Sequence, residues 1–357
     1  WFIGYPETSR RYLGGGEPTR LLRFSPYLNV TVFRHLAFKP PGAPPPRFML
    51  ELLPPDEASR WRRRRGAWPD LRVYRSILQT TLKEKRWQRF RWNPVRNCAH
   101  WDAFEGRLDE ALAEMRPITD RDTARRRSRQ CAALVRAYLG VHVCSLLFAN
   151  IWFELAEGML GARGLDAHIS TLLRPSAPTW TARTNHALWA LARGETDEPS
   201  VLAEFGHRAP SSWELFSPRW REDPAQLRAL ARGLMGRPDP LVGAVTAVAQ
   251  ADAMSRQLPG DLRPVVTLAR RYLRLREDQR FHFDRLLWRW KEAWLWLEGD
   301  TGLALRFLES DEADALLDQD LGLARAEALI ARREAAWRAE QERRACGDAP
   351  PVFLVGE

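Results

Sequence analysis

Lysine is almost absent from this chain. Only Lys39, Lys83, Lys85 and Lys291 occur, so 51 of the 55 basic residues are arginine. The net charge of +10 would by itself suggest a nucleic-acid partner. An arginine bias this steep reflects genome composition as much as phosphate binding. Zinc-finger spacing, a glycine-rich RNA-binding strand motif and heptads are all missing, so the basic runs Arg60–Arg65 (with Trp61 inside) and Arg125–Arg127 stand as local patches. Cysteine is scarce too. Cys98, Cys131, Cys144 and Cys346 form no CxxC pair, which argues against a disulfide framework or a zinc site and for reduced thiols in a cytoplasmic protein. No signal peptide and no metal site are read. The longest uncharged run, Ala137–Phe153, is 17 residues and contains His142, Ser145 and Asn150. That is at the short limit for a bilayer, and we read a core helix rather than a membrane span. No internal repeat of 20 to 50 residues is found. The chain starts at Trp1 and trails off in Asp348–Glu357 without a helical pattern, as an excerpt of a longer polypeptide would.

What is present is globular: 45% hydrophobic and 28% charged residues, with 16 Trp and 15 Phe to build a core. Residues 1 to 66 are broken by glycine and proline, with a β-rich run at Tyr27–Phe33. From Asp70 onward the pattern is helical. Helices are expected over Asp70–Trp92 (stopped by Asn93–Pro94), Trp101–Met115, Asp120–Leu160, Thr179–Arg193, Pro224–Met235, Pro240–Gln257, Leu262–Leu297 and Leu321–Arg344. The last repeats Ala, Glu and Arg at i,i+4 spacing, as a solvent-facing helix laced with ion pairs would. The expected fold is mainly α, a multi-helix bundle-like domain with a small irregular, β-containing N-terminal segment. Three parts are read: 1–66, an irregular segment packing on a neighbouring domain; 67–345, a helical domain; and 346–357, a linker.

Three groups of residues carry possible chemistry. The connection Leu202–Pro224 places Gly206, His207, Arg208, Trp213, Arg219, Trp220 and Arg221 between two helices. Gly206 suits a left-handed residue ending the preceding helical turn, and Asp223–Pro224 reads as N-cap and N1 of the next helix. Such a pinned, cationic loop is either a structural corner, its arginines paired with Glu204, Glu214 and Asp223, or a wall facing an anion. The apolar stripe Leu273, Phe283, Leu287, Trp290, Trp294 and Leu297, extended backward, passes through Arg280 and Arg276. Inward-facing guanidinium groups there need a carboxylate or a bound anion. His142 and Asn150, eight residues apart, could face the same space, although a lone polar residue in a core helix is usually satisfied by a neighbour.

Phe205–Gly206–His207–Arg208, Trp213–Glu214–Leu215 and Ser217–Pro218–Arg219–Trp220–Arg221–Glu222–Asp223–Pro224 together resemble a motif of the phosphoenolpyruvate-synthase-like enzymes, in particular the central region of rifampicin phosphotransferase and its relatives. The stretch from Arg276–Glu277 through Arg280–Phe281 to Arg285 is similar to a second, weaker element of that family. The resemblance implies a helical acceptor-binding domain. It would work with an ATP-grasp domain and a swivelling domain whose phosphohistidine delivers the phosphoryl group to a small molecule. It also implies His207 and Arg208 as catalytic candidates, His207 as a base for a substrate hydroxyl, with Arg276 and Arg280 on the substrate side; His142 and Asn150, read from their own helix, are further substrate-side candidates.

The chain departs from the full family pattern. None of its seven histidines lies in the swivelling-domain setting, Gly14–Gly15–Gly16 lacks the Ser-His that should follow, and no ATP-grasp half is present. ATP and Mg would therefore belong to an absent domain, no cofactor is expected here, and the chain alone is not expected to hydrolyse ATP. Two rival readings are a non-catalytic scaffold of the same family and a basic nucleic-acid-binding helical protein.

Overall fold

The computed structural model describes residues 19–22, 25–28, 55–56, 58–59, 94–210 and 214–348. The chain divides into two compact units, one spanning Trp92–Arg306 and the other combining the N-terminal part with the chain from Phe307 onward. Among the described residues there are ten α-helices and one antiparallel strand pair. The fold is mainly α, as the sequence pattern predicts.

The Trp92–Arg306 unit is built on two very long helices. α1 (Pro94–Ala113) leads into α2 (Arg121–Gly161). Then come the short α3 (Ile169–Leu172), α4 (Trp180–Ala192), α5 (Glu198–Phe205), α6 (Pro224–Arg232) and α7 (Pro240–Arg256), and the unit closes with α8 (Leu262–Thr301). At 40 residues α8 is about 60 Å long. Six of the seven expected helices that fall on described residues hold their boundaries within four residues, and the caps explain why; α1 starts seven residues before the expected Trp101. Asp120 accepts a 2.7 Å bond from the Thr123 amide, Asp197 a 2.8 Å bond from Ser200, and Asp239 a 2.8 Å bond from Leu241. Gly302, at φ 69°, ends α8 in the left-handed region. Pro94, read as a stop, instead starts α1, where its missing N–H costs nothing. Asp223 sits at the N-cap of α6 with Pro224 next to it, but its side chain makes no capping bond.

α2 and α8 pack side by side with α1 against them. Trp101, Phe104, Leu108, Cys131, Tyr138, Phe148, Tyr272, Leu275, Phe283 and Leu286 form one buried cluster there. Inside it Asn97, Ser145, Gln279 and Tyr272 form a connected network at 2.8 to 3.1 Å. α2 carries an 18-residue window apolar and long enough to cross a membrane by length and composition. One side of it supplies this core, while Leu139, Leu146, Ile151 and Leu155 are exposed. A second cluster joins α5, α6 and the middle of α8 through Val201, Phe205, Trp220, Leu227 and Phe281.

In the other unit, Thr19–Leu22 pairs antiparallel with Ser25–Leu28, in the register Thr19 to Leu28 and Leu22 to Ser25. The β-rich run read at Tyr27–Phe33 overlaps this pair only at Tyr27 and Leu28, and its remainder lies outside the described residues, as does the expected helix Asp70–Trp92. α9 (Ser310–Leu317) and α10 (Leu323–Ala345) complete that unit. α10 bears the expected ion pairs, Glu334 to Arg338 and Glu340 to Arg343 and Arg344, although Glu340 itself is buried.

Candidate functional site

The connection between α5 and α6 folds back on itself. The Trp220 amide donates to the Arg208 carbonyl at 2.9 Å and the Arg221 amide to the Gly206 carbonyl at 3.1 Å. This pins 206–208 against 219–221. Gly206 adopts φ −61° and ψ −14°, so the left-handed conformation read from the sequence is corrected. The need for glycine is one of space. A Cβ here would stand 2.3 Å from the Leu202 carbonyl oxygen and 3.1 Å from Nε of Arg221. Arg221 passes over this glycine and lays its guanidinium on the Trp288 ring, 4.6 Å from the centroid.

The other loop arginines turn inward to structural partners. Arg208 places Nη1 2.9 Å from Oδ2 of Asp284, and Arg219, fully buried, lies 3.8 Å from Oδ1 of the same carboxylate. Arg219 also donates to the carbonyls of Glu214 and Leu215. Trp220 is buried in the α5–α6–α8 cluster. Lys291 is buried as well, bonded to Glu222 at 2.6 Å and to the Ser217 carbonyl at 3.1 Å. Trp213 lies outside the described residues.

Beside this loop lies a cavity of 540 Å³ whose walls come from α1, α4, α5, the loop and α8. Its apolar wall includes Trp180 and Phe281, stacked at 4.1 Å and 2°. His207 lines it at 5% exposure and sits edge-on to Phe281, with its Nε2 bonded to no described group. Burial, followed by the charges of Arg208, Arg285, Arg221 and Arg219, holds the His207 imidazole well below its ordinary pKa. The imidazole is therefore neutral at pH 7. Across the cavity Nε2 of His282 lies 2.7 Å from Oε1 of Glu105, and Arg285 is 2.5 Å from Asp109. The contact with His282 holds Glu105 below the usual carboxylate range. Among the described residues no group of three His, Cys, Asp or Glu side chains could hold a metal ion.

The sequence candidates separate accordingly. His207 and Arg221 line the cavity; Arg208, Arg219 and Trp220 support the loop behind it. Arg276 and Arg280 are exposed, which corrects their reading as inward-facing. Nine residues at 3.6 per turn put Arg285, a lining residue, about 180° around α8 from Arg276. The apolar stripe is covered from Phe283 onward but not at the level of Arg276 and Arg280. His142 and Asn150 do not share a space. His142 is buried against Gln279 Oε1 at 2.9 Å and stacked on Tyr138, while Asn150 donates to the Leu146 carbonyl one turn back. Neither lines the cavity. Glu105, Asp109, Trp180, His282 and Trp288 were missed. They come from three helices distant in sequence, and no local spacing links them.

Residues 199–280 match a family described as the rifampicin phosphotransferase fourth domain. Over these 82 of its 357 residues the chain is similar to that family's domain. The match starts in α5, spans the whole loop and ends within α8, one residue before Phe281. No curated protein and no solved structure matches the chain.

Proposed function

We propose that the cavity beside the α5–α6 loop binds the small-molecule acceptor of a phosphotransferase, and that His207 takes the proton of the acceptor hydroxyl. The observation that carries this reading is a neutral, buried imidazole, inside the segment similar to the rifampicin phosphotransferase fourth domain, whose Nε2 has no hydrogen-bond partner among the described residues and which lines a cavity of ligand size. A base that keeps its lone pair at neutral pH suits hydroxyl activation. The acceptor oxygen would form the new P–O bond, the P–N bond to a phosphohistidine on another domain would break, and the hydroxyl proton would pass to His207. The phosphohistidine and ATP-grasp domains, with ATP and Mg, belong in this reading to partners in the cytoplasm, and the chain alone does not turn over ATP.

The test is a thermal-shift panel of aromatic polyketide antibiotics, pyruvate and other hydroxylated or keto acceptors. A ligand that raises the melting temperature of the wild type and loses that effect in Trp180→Ala supports the reading. A panel without a single stabilising compound favours a scaffold role.

A further inference from the structure

The cavity holds a second, chemically different feature. Besides the imidazole nitrogens of His207 and His282, two N–H groups on its wall are buried without any hydrogen-bond partner among the described residues: Nε of Arg221 and Nε1 of Trp288. Both groups are obligate donors. Arg221 also has no carboxylate within ion-pair distance among the described residues, unlike its neighbours in the cavity. Arg285 is held by Asp109, Arg289 by Glu292 at 2.8 Å, and His282 by Glu105. Glu204, the remaining acidic lining residue, is exposed. The Arg221 guanidinium lies over the Trp288 ring, so the two donors are adjacent, and the missing Cβ of Gly206 is what makes room for Nε. An unmet buried donor costs about 1–3 kcal/mol, so a fold that keeps two of them side by side has left a place for an acceptor.

We infer that Arg221 and Trp288 form an oxyanion subsite in this cavity, one that takes a phosphoryl or carboxylate group of the ligand beside the His207 imidazole. The two nitrogens are covered, so anion binding requires Arg221 and Trp288 to turn toward the cavity. Arg221 supplies the charge and the Trp288 indole N–H supplies direction, and neither can accept a proton from the anion. The inference deepens the acceptor reading but rests on a separate observation. His207 has no part in the subsite, so the two can fail separately.

The test is isothermal titration of the 357-residue chain with inorganic phosphate and, in a second arm, with acetate. Parallel titrations use Trp288→Phe, Arg221→Gln, His207→Gln and an Arg276→Gln/Arg280→Gln control. Trp288→Phe keeps an aromatic ring but removes the pyrrole N–H with part of the surface under Arg221, so the indole resonance of the wild type is what assigns the N–H. Affinity for the bound anion should fall on the order of tenfold in Trp288→Phe and more in Arg221→Gln. It should stay unchanged in the surface control. In the wild type, the indole N–H resonance that is absent from Trp288→Phe should shift on adding the anion. Binding of phosphate alone identifies a phosphoryl subsite, and of acetate alone a carboxylate subsite. Neither anion binding, or equal binding by wild type and Trp288→Phe with a stationary indole resonance, overturns the inference. Should His207→Gln abolish acceptor binding while phosphate still binds, the subsite stands independently of the acceptor reading.

Discussion

Replacing Gly206 by alanine sets two physical effects against each other, and their signs differ. The backbone at Gly206 is right-handed helical, φ −61° and ψ −14°. On conformational grounds alone alanine should stabilise the fold by about 0.4–1 kcal/mol, because it restricts the unfolded chain. The space argument points the other way. The new methyl would stand 2.3 Å from the Leu202 carbonyl oxygen and 3.1 Å from Arg221 Nε. The first contact is with backbone that already accepts the Gly206 amide at 2.9 Å, so it cannot be relieved by a side-chain rotation. Relief requires the end of α5 to shift, which moves the 206–208 segment away from 219–221. Overpacking of this kind costs roughly 1–3 kcal/mol, and loss of the Arg221–Trp288 contact adds about 0.5–1 kcal/mol. The net expectation is a destabilisation of about 1–3 kcal/mol, or a melting temperature lower by roughly 2–12 °C for a unit of this size. Thermal unfolding followed by circular dichroism measures it. An unchanged or higher melting temperature for Gly206→Ala would refute the claim that space, rather than backbone freedom, selects glycine here.

Other expectations follow from single contacts. Asp284→Asn leaves Arg208 and Arg219 without their shared buried counter-charge, which should cost about 3–5 kcal/mol and lower the melting temperature by roughly 10 °C. Lys291→Met frees Glu222 and the Ser217 carbonyl, and limited trypsin digestion should then cut within 214–223 faster than in the wild type. Burial holds His142 and His207 below their ordinary pKa. Both stay neutral in the folded chain and protonate in the unfolded chain below about pH 6.5. Stability should fall as pH drops through that value, by at most about 1.4 kcal/mol per pH unit for each histidine, and denaturant titrations of His142→Gln/His207→Gln should show a flatter slope. Because Arg276 and Arg280 are exposed, their double alanine variant should unfold within about 1 kcal/mol of the wild type and keep any cavity ligand.

The helices were legible because capping residues and prolines act locally. Asp120, Thr179, Asp197 and Asp239 mark helix starts whatever surrounds them. The loop was legible as a unit for the same reason: its Gly, Trp and Pro contents are local signals. Which face of α8 points where was not. Periodicity places Arg276 and Arg280 in line with Phe283 and Leu287, but burial depends on what lies over each level of the helix. The network around His142 shows the complementary case, since its partner Gln279 is 137 residues away. The cavity was beyond sequence reading for the same reason, with Glu105 on α1, Trp180 on α4 and Trp288 on α8 meeting only in three dimensions.

Arg208, Arg219 and Arg221 lie within fourteen residues and look equivalent in sequence. In the fold they differ in what neutralises them. Arg208 and Arg219 share Asp284, and burying them serves to close the corner. Arg221 has an aromatic face and no carboxylate among the described residues. A guanidinium with an internal counter-ion has little left to offer a ligand, whereas one without it gains most from an incoming anion. The residue to test is therefore not the most buried of the three but the one with no carboxylate at ion-pair distance among the described residues. Asp284→Asn and Arg221→Gln should then separate stability from binding. The first should lower the melting temperature strongly and leave phosphate affinity near that of the wild type at temperatures where the chain is folded. The second should cost only about 1 kcal/mol of stability and most of the phosphate affinity. Proportional losses in both variants would mean that the arginines act as one network, and that no single member of the loop carries the site.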